Sequence, residues 1–263
     1  MPLTASEKTD RFRALHAGPK ALLMANAFDA GSAGLLAQLG FAALATSSGA
    51  AAGVLGRRDG QLSRDEALAH ARAVVAATEL PVSADLENGF GDAPEQVAET
   101  IRMAVDCGVA GASIEDYSGH DTKRLYPIAL ATERIAAAVA AARASSLPGL
   151  VITARAENFL RGRPDLDDTI ARLRAFEAAG ADVLFAPALP DLASVRAVCA
   201  ALDKPFSFMA GIPGKSFDVA SLEAAGVRRI SLATSLWRVA MQAVRIAASE
   251  VQGSGTFGYL DRI

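Results

Sequence analysis

The chain predicts a closed α/β barrel, a (β/α)8 TIM-type fold with an extra helix ahead of the first strand, and three observations carry that prediction. The first is length: 263 residues are typical of such a barrel counted as one domain. The second is a repeated grammar, in which an alanine-rich amphipathic segment ends at a glycine and an apolar run follows. It occurs around Gly40, Gly108, Gly180 and Gly226, where glycine suits a left-handed helix C-cap leading into a strand. The third is that these helix-to-strand transitions recur along the whole chain, the mark of βα units and a parallel sheet.

Taken in order, the opening helix is expected at about residues 6–16. Strands follow at 21–28, 42–48, 81–87, 111–116, 150–157, 182–187, 205–210 and 228–233. Helices at 63–78, 94–107, 132–145, 166–179 and 235–251 supply most of the crossovers. Eight βα units in this length favour a closed barrel over an open doubly wound sheet. No linker or low-complexity tract divides the chain, so a single barrel domain over residues 1–263 is expected.

Composition narrows the function. Net charge is -3 with both signs dispersed, which gives no electrostatic footprint for nucleic acid or an anionic membrane. Residues 1–13 are polar and do not read as a signal peptide. No apolar run reaches membrane-spanning length. Two isolated cysteines, Cys107 and Cys199, point to a reducing compartment and no disulfide framework. A cytoplasmic protein is expected. Hydrophobic content of 51% and a mean hydropathy of +0.25 fit apolar surface buried between subunits.

The chemistry concentrates where barrel enzymes keep it, at the carboxyl ends of strands. In residues 82–91, Ser83, Asp85 and Glu87 alternate with small apolar residues, and a period of two puts them on one face. In the next strand Glu115 is in phase with Ser113, and Arg155 with Val151 and Thr153. Adjacent strands ending in inward acids are costly unless something positive neutralises them. A divalent cation with oxygen ligands is the simplest answer. Asp59 either caps the turn at Gly60 or joins that site. Arg155 is either a carboxylate clamp or the structural partner of Glu157.

Several motifs, each weak alone, form an ordered set: residues 26–32, Ser47-Ser48-Gly49, Arg58-Asp59-Gly60, residues 84–91, Ile114-Glu115-Asp116 and Ala154-Arg155-Ala156-Glu157. With this set the chain resembles the isocitrate lyase and phosphoenolpyruvate mutase superfamily over nearly its whole length. The resemblance implies Mg²⁺, with Mn²⁺ as a substitute, and cleavage next to C2 of a small 2-oxo or 2-hydroxy carboxylate through a metal-bound enolate. It implies Asp85 as direct metal ligand, with Asp59, Glu87 and Glu115 holding the ion, often through water. Ser47, Ser48 and Gly49 correspond to the segment gripping the substrate carboxylate and 2-oxo oxygen, and Arg155 to the arginine that pairs with the carboxylate. It also implies a homotetramer with exchanged C-terminal helices, which the apolar segment 236–251 fits.

The departures from the family pattern are equally specific. After Asp116 the chain has no cysteine loop of the kind that supplies the acid in isocitrate and methylisocitrate lyases. The mutase-like Lys-x-x-Asn gate is absent, Glu87 replaces the mutase aspartate, and Pro187 stands where mutases place a histidine. The expected reaction is therefore carbon–carbon cleavage or decarboxylation. Phosphorus–carbon chemistry on a phosphonopyruvate-like substrate is the alternative within enzymes, and a non-catalytic carboxylate-binding barrel the alternative outside them. Residues 117–127 are expected to form a lid, in which Tyr117, His120 and Lys123 are the groups available to move a proton.

The remaining polar features read as structural. His16 and His70 fall on helix faces and are expected at the surface. The loop 211–216 is not a phosphate loop, because it lacks the first glycine at the required spacing. Arg57-Arg58 and Arg228-Arg229 are expected to be solvated or salt-bridged charge pairs.

Overall fold

The computed structural model describes residues 3–119 and 125–262, with backbone only for Arg262. Its strands are Leu22–Asn26 (β1), Leu44–Ala45 (β2), Val82–Asp85 (β3), Gly111–Glu115 (β4), Val151–Arg155 (β5), Val183–Phe185 (β6), Phe206–Met209 (β7) and Arg229–Ser231 (β8). All pair in parallel and in chain order, and β1 closes the ring against β8. The barrel is the fold expected from the sequence, and each strand lies inside its expected segment. The ladders are shorter than those segments, although single backbone hydrogen bonds run on past their ends, as from the Thr46 N–H to the Ser83 carbonyl and from the Glu115 N–H to the Glu87 carbonyl, both at 2.9 Å.

The helices are Ala5–His16 (α1), Ala30–Gln38 (α2), Ser48–Val54 (α3), Arg64–Ala76 (α4), Pro94–Asp106 (α5), Ile128–Arg143 (α6), Leu166–Ala178 (α7), Leu192–Ala200 (α8), Val219–Ala224 (α9) and Ser235–Ser254 (α10). A short 3-10 turn, Gly258–Arg262, follows. The glycines of the repeated grammar, Gly40, Gly108, Gly180 and Gly226, hold φ of 86, 76, 96 and 99°, the left-handed stops that the pattern demands. The glycine stops at Gly40 and Gly226 mark the ends of α2 and α9, whereas α3 and α8 have no such mark in the sequence. All four are short, and their starts are fixed by local caps: Asp29, Ser47, Asp191 and Asp218 each accept a hydrogen bond from a backbone N–H three residues on.

The extra helix α1 closes the amino end of the barrel. Its Phe12 is fully buried against Leu22, Met24, Val151 and Val183. One turn later His16 is also buried, which corrects the surface placement expected for it: α1 lies across the barrel floor, so its last turn faces inward. His16 Nδ1 sits 2.8 Å from the Phe12 carbonyl oxygen and Nε2 has no hydrogen-bond partner. His70 is half-buried, with Nε2 2.9 Å from the Phe28 carbonyl oxygen. At the other end of the chain α10 buries no residue and exposes Val239, Met241, Val244 and Ile246.

Candidate active site

Asp85 is the node of the barrel mouth. Its backbone N–H donates to Thr46 Oγ1 at 2.9 Å, which ties the end of β3 to that of β2. Its Oδ2 accepts the Ser48 N–H at 3.1 Å, and its Oδ1 accepts from Ser113 Oγ at 3.4 Å and from an Arg155 terminal nitrogen at 3.3 Å. Ser48 Oγ in turn donates to Asp59 Oδ1 at 2.8 Å. The Ser47, Ser48 and Gly49 segment is thereby knitted to two of the expected metal acids. A Cβ at Gly49 would stand 2.9 Å from Thr234 Cγ2 and 3.2 Å from Asp59 Cγ, so any side chain here would have to displace Thr234 and crowd Asp59.

Arg155 is enclosed by carboxylates. It donates to Glu157 Oε1 from Nε at 3.1 Å and from a terminal nitrogen at 2.7 Å, and lies 3.4 Å from Glu115 and 3.3 Å from Asp85. Its guanidinium also stacks 4.9 Å over the Phe185 ring. Burial pulls its pKa down, but the charges of Glu157, Glu115 and Asp85 outweigh this and hold it above the usual arginine range. Arg161 adds a second cation, 3.2 Å from Glu115 and 3.0 Å from Glu157, with its guanidinium 3.6 Å above the Tyr117 ring. Glu115 is raised well above its ordinary value by burial and then by Glu157, with Arg155 opposing.

Glu87 departs from the expected strand alternation. The ladder of β3 ends at Asp85, and Glu87 occupies a turn with φ of 49°, a conformation that is strained for a residue with a Cβ. It still faces the mouth, lining one recess with Ser48, Asp59, Glu115, Tyr117 and Arg161. Burial, then Asp85 and Asp59, push its pKa up to about 8. Its Oε1 is buried without a hydrogen-bond donor among the described residues. Asp116, the residue after β4, is turned away into a structural pair: it accepts the Glu157 N–H at 2.8 Å and meets Arg172 at 3.1 Å.

Among the described residues no three His, Cys, Asp or Glu side chains converge closely enough to enclose a cation directly. The donor set still fits Mg²⁺, which takes oxygen ligands and keeps several of its waters. Asp85 and Asp59 both lie near enough to raise the Glu87 pKa, and the orphaned Glu87 oxygen is the group that a cation or its water would satisfy. His120 and Lys123 fall on residues 120–124, outside the described residues. Tyr117 stands at the rim, bridged to Leu125 in antiparallel fashion.

The sequence reading missed part of the cavity. A space of about 180 Å³ runs from the mouth into the barrel and is lined by Asn26, Met209, Arg229 and Arg238 as well as by Ser48, Asp85 and Arg155. Arg229 corrects an expectation. Arg57 is salt-bridged to Glu66 at 2.7 Å and Arg228 is exposed, but Arg229 is buried inside the barrel with no ion pair among the described residues. The available signal was register, since Arg229 and Ser231 are two apart on β8 and both point inward. Arg238 lies in the first turn of α10, beyond any strand-end motif.

Comparison with known proteins agrees with this architecture. The family model described as phosphoenolpyruvate phosphomutase matches residues 12–252. The "Probable 2-methylisocitrate lyase 2" of Corynebacterium glutamicum is 31% identical over 95% of this chain and 82% of that relative. The oxaloacetate decarboxylase of Paraburkholderia xenovorans is 32% identical over 89% of this chain and 78% of its own length. A crystal structure of a lyase/mutase candidate from Burkholderia cenocepacia J2315 superposes with a TM-score of 0.95 at 47% identity, covering 98% of this chain and 92% of that one.

Proposed function

From the premise that this chain belongs to the isocitrate lyase and phosphoenolpyruvate mutase superfamily and is a carbon–carbon lyase of that type, we propose that it cleaves or decarboxylates a small 2-oxo or 2-hydroxy carboxylate with the help of Mg²⁺. The observation that carries this reading is the buried Glu87 oxygen, without a hydrogen-bond partner among the described residues, in a recess that also presents Asp59, Glu115 and Arg155 and near enough to Asp85 to feel its charge.

In this reading Asp85 would hold the cation, with Asp59, Glu87 and Glu115 as the further acids of its site. A divalent cation there would supply the Lewis acid for a 2-oxo oxygen. Arg155 orients the substrate carboxylate through its planar fork, trading part of its contact with Asp85 and Glu115 for the substrate. Ser47, Ser48 and Gly49 hold the same end of the substrate. Tyr117, at the rim beside Glu115, is available to move a proton through its hydroxyl, as are His120 and Lys123 in the adjoining segment. The exposed apolar side chains of α10 support a homo-oligomer, proposed as a tetramer, and a gel-filtration mass of one chain would reject it.

The test is pyruvate release from a panel of oxaloacetate, methylisocitrate and dimethylmalate, with Mg²⁺ and with a chelator, alongside phosphonopyruvate. Turnover of a carbon–carbon substrate that stops with the chelator is the expected result. Turnover of phosphonopyruvate alone moves the assignment to phosphorus–carbon chemistry, and binding without turnover of any of them makes the chain a carboxylate-binding barrel.

A further inference from the structure

We propose that the barrel throat beneath the acidic mouth is a second subsite, one that binds a small anion, built on the Arg229 guanidinium and the serine hydroxyls around it. Arg229 starts β8, points inward and is 3% exposed. Its Nε donates to Ser207 Oγ at 2.9 Å, and a terminal nitrogen donates to Thr153 Oγ1 at 2.9 Å. These two bonds use two of the five N–H donors of a guanidinium, and the others meet no acceptor among the described residues. No carboxylate of the described residues stands within ion-pair distance either. Burial and the charge of Arg155 push its pKa down to about 9, which leaves it charged near neutral pH. An unpaired buried charge is among the costliest groups a fold can carry, so a counter-charge from outside the chain is the economical reading.

The walls have the matching chemistry. The interior of such a barrel is ordinarily filled by branched apolar side chains, yet here Ser83 and Ser231 line the cavity beside Arg229. Neither hydroxyl makes a side-chain hydrogen bond among the described residues, so both are available to donate. Hydroxyls solvate an anion without adding a competing negative charge. The acids stand higher: Thr153, which anchors Arg229, and Arg155, which the acids surround, are two residues apart on the inward face of β5, about 6.6 Å at the strand rise. One arginine has three carboxylate partners and the other has none. That asymmetry assigns the negative ligand to the lower one.

The cavity is continuous from Arg155 to Arg229 and small, about 180 Å³. The ligand class is therefore a small anion, from one of two sources. It is the second carboxylate of a dicarboxylate substrate reaching down from the mouth, which rests on the lyase reading, or a resident halide, which does not. Calorimetric titration of the full chain with sodium bromide and with disodium succinate, each repeated on Arg229→Met, separates them. Saturable bromide binding lost in the variant supports a resident ion. Succinate binding weakened by roughly tenfold or more in the variant, without bromide binding, supports the substrate tail. Equal binding of both probes to the two proteins, or no binding of either to the wild type, overturns the proposal. Bromide and succinate soaks of wild-type crystals keep the question open to test if Arg229→Met does not fold: an anion peak against the guanidinium supports the subsite, and its absence in both soaks rejects it. These readouts do not use turnover, so a failed substrate panel would sink the lyase reading and leave this one standing.

Discussion

The mouth and the throat of this barrel carry opposite charge problems in two adjoining recesses that share Ser48, Asp59 and Arg155. At the mouth Asp59, Asp85, Glu87, Glu115 and Glu157 face Arg155 and Arg161, and negative charge is in excess. In the throat Arg229 is buried among hydroxyls with no ion-paired acid among the described residues. The difference is one of function more than of stability, since neither arrangement is the lowest-energy way to fill a core. A site that lacks positive charge above and negative charge below suits a cation and an anionic ligand bound together, each relieving its own level.

The strongest way to break this contrast is at the mouth. Asp85→Ala removes the acid that touches Ser48, Ser113 and Arg155 at once. Mg²⁺-dependent binding of oxalate should fall by more than the roughly hundredfold typical of outer-shell changes, with the barrel still folded by circular dichroism. Unchanged metal affinity in calorimetry would remove Asp85 from the cation site. Next in size is Arg155→Lys. It keeps the charge but loses the fork that now engages Glu157 twice, so turnover should drop by roughly tenfold or more. A near-native kcat/KM in this variant would assign Arg155 a purely structural role.

How much of this was legible in the sequence follows the same division. The fold could be read because helix stops and strand starts are local: Gly108 or Gly226 announces its turn by chemistry alone. The mouth could be read because acids that end apolar strands break a pattern, as Asp85 and Glu115 do. Glu87 was placed on the right rim for the wrong reason, since period-two alternation cannot foresee that the chain turns with positive φ at Glu87 itself. Arg229 and His16 were misread because pairs such as Arg228-Arg229 and a histidine in a helix's last turn are usually solvated. Their burial is a tertiary fact, set by barrel closure around β8 and by the docking of α1 across the floor. Arg238 had no local signal.

His16 offers a subtler probe of the throat. Burial, then the charge of Arg229, push its pKa down to about 4 from an ordinary 6.5. The unfolded chain takes up this proton near 6.5 and the folded chain only near 4. The contribution to stability is therefore complete above the higher value and lost as pH falls through the window, up to about 3 kcal/mol. His16→Asn should flatten the fall in denaturant midpoint between those two pH values. In Arg229→Met the His16 pKa should rise, read by NMR titration of the ring protons. A histidine indifferent to that substitution would mean that the throat charge does not reach the barrel floor.

The smallest expected effect is on the thiols, and it concerns the feature that sets the mouth apart from cysteine-loop lyases. Cys107 caps α5, is buried, and lies within hydrogen-bonding reach of the Leu68 and Met103 carbonyl oxygens at 3.6 and 3.3 Å. Burial raises its pKa above the ordinary thiol value. Cys199 lies in α8, half-buried, and burial pushes its thiol up to about 12. Because the thiolate is the reactive form, neither cysteine offers a nucleophile or an acid tuned to neutral pH, and neither lines the cavity that holds Asp85 and Arg155. Treatment of the folded protein with iodoacetamide should leave turnover within experimental error of the untreated enzyme, and mass spectrometry should find both thiols unmodified. Loss of activity in step with alkylation of either residue would show that a cysteine reaches the substrate after all, and the search for the proton donor would have to leave Tyr117 and the segment that follows it.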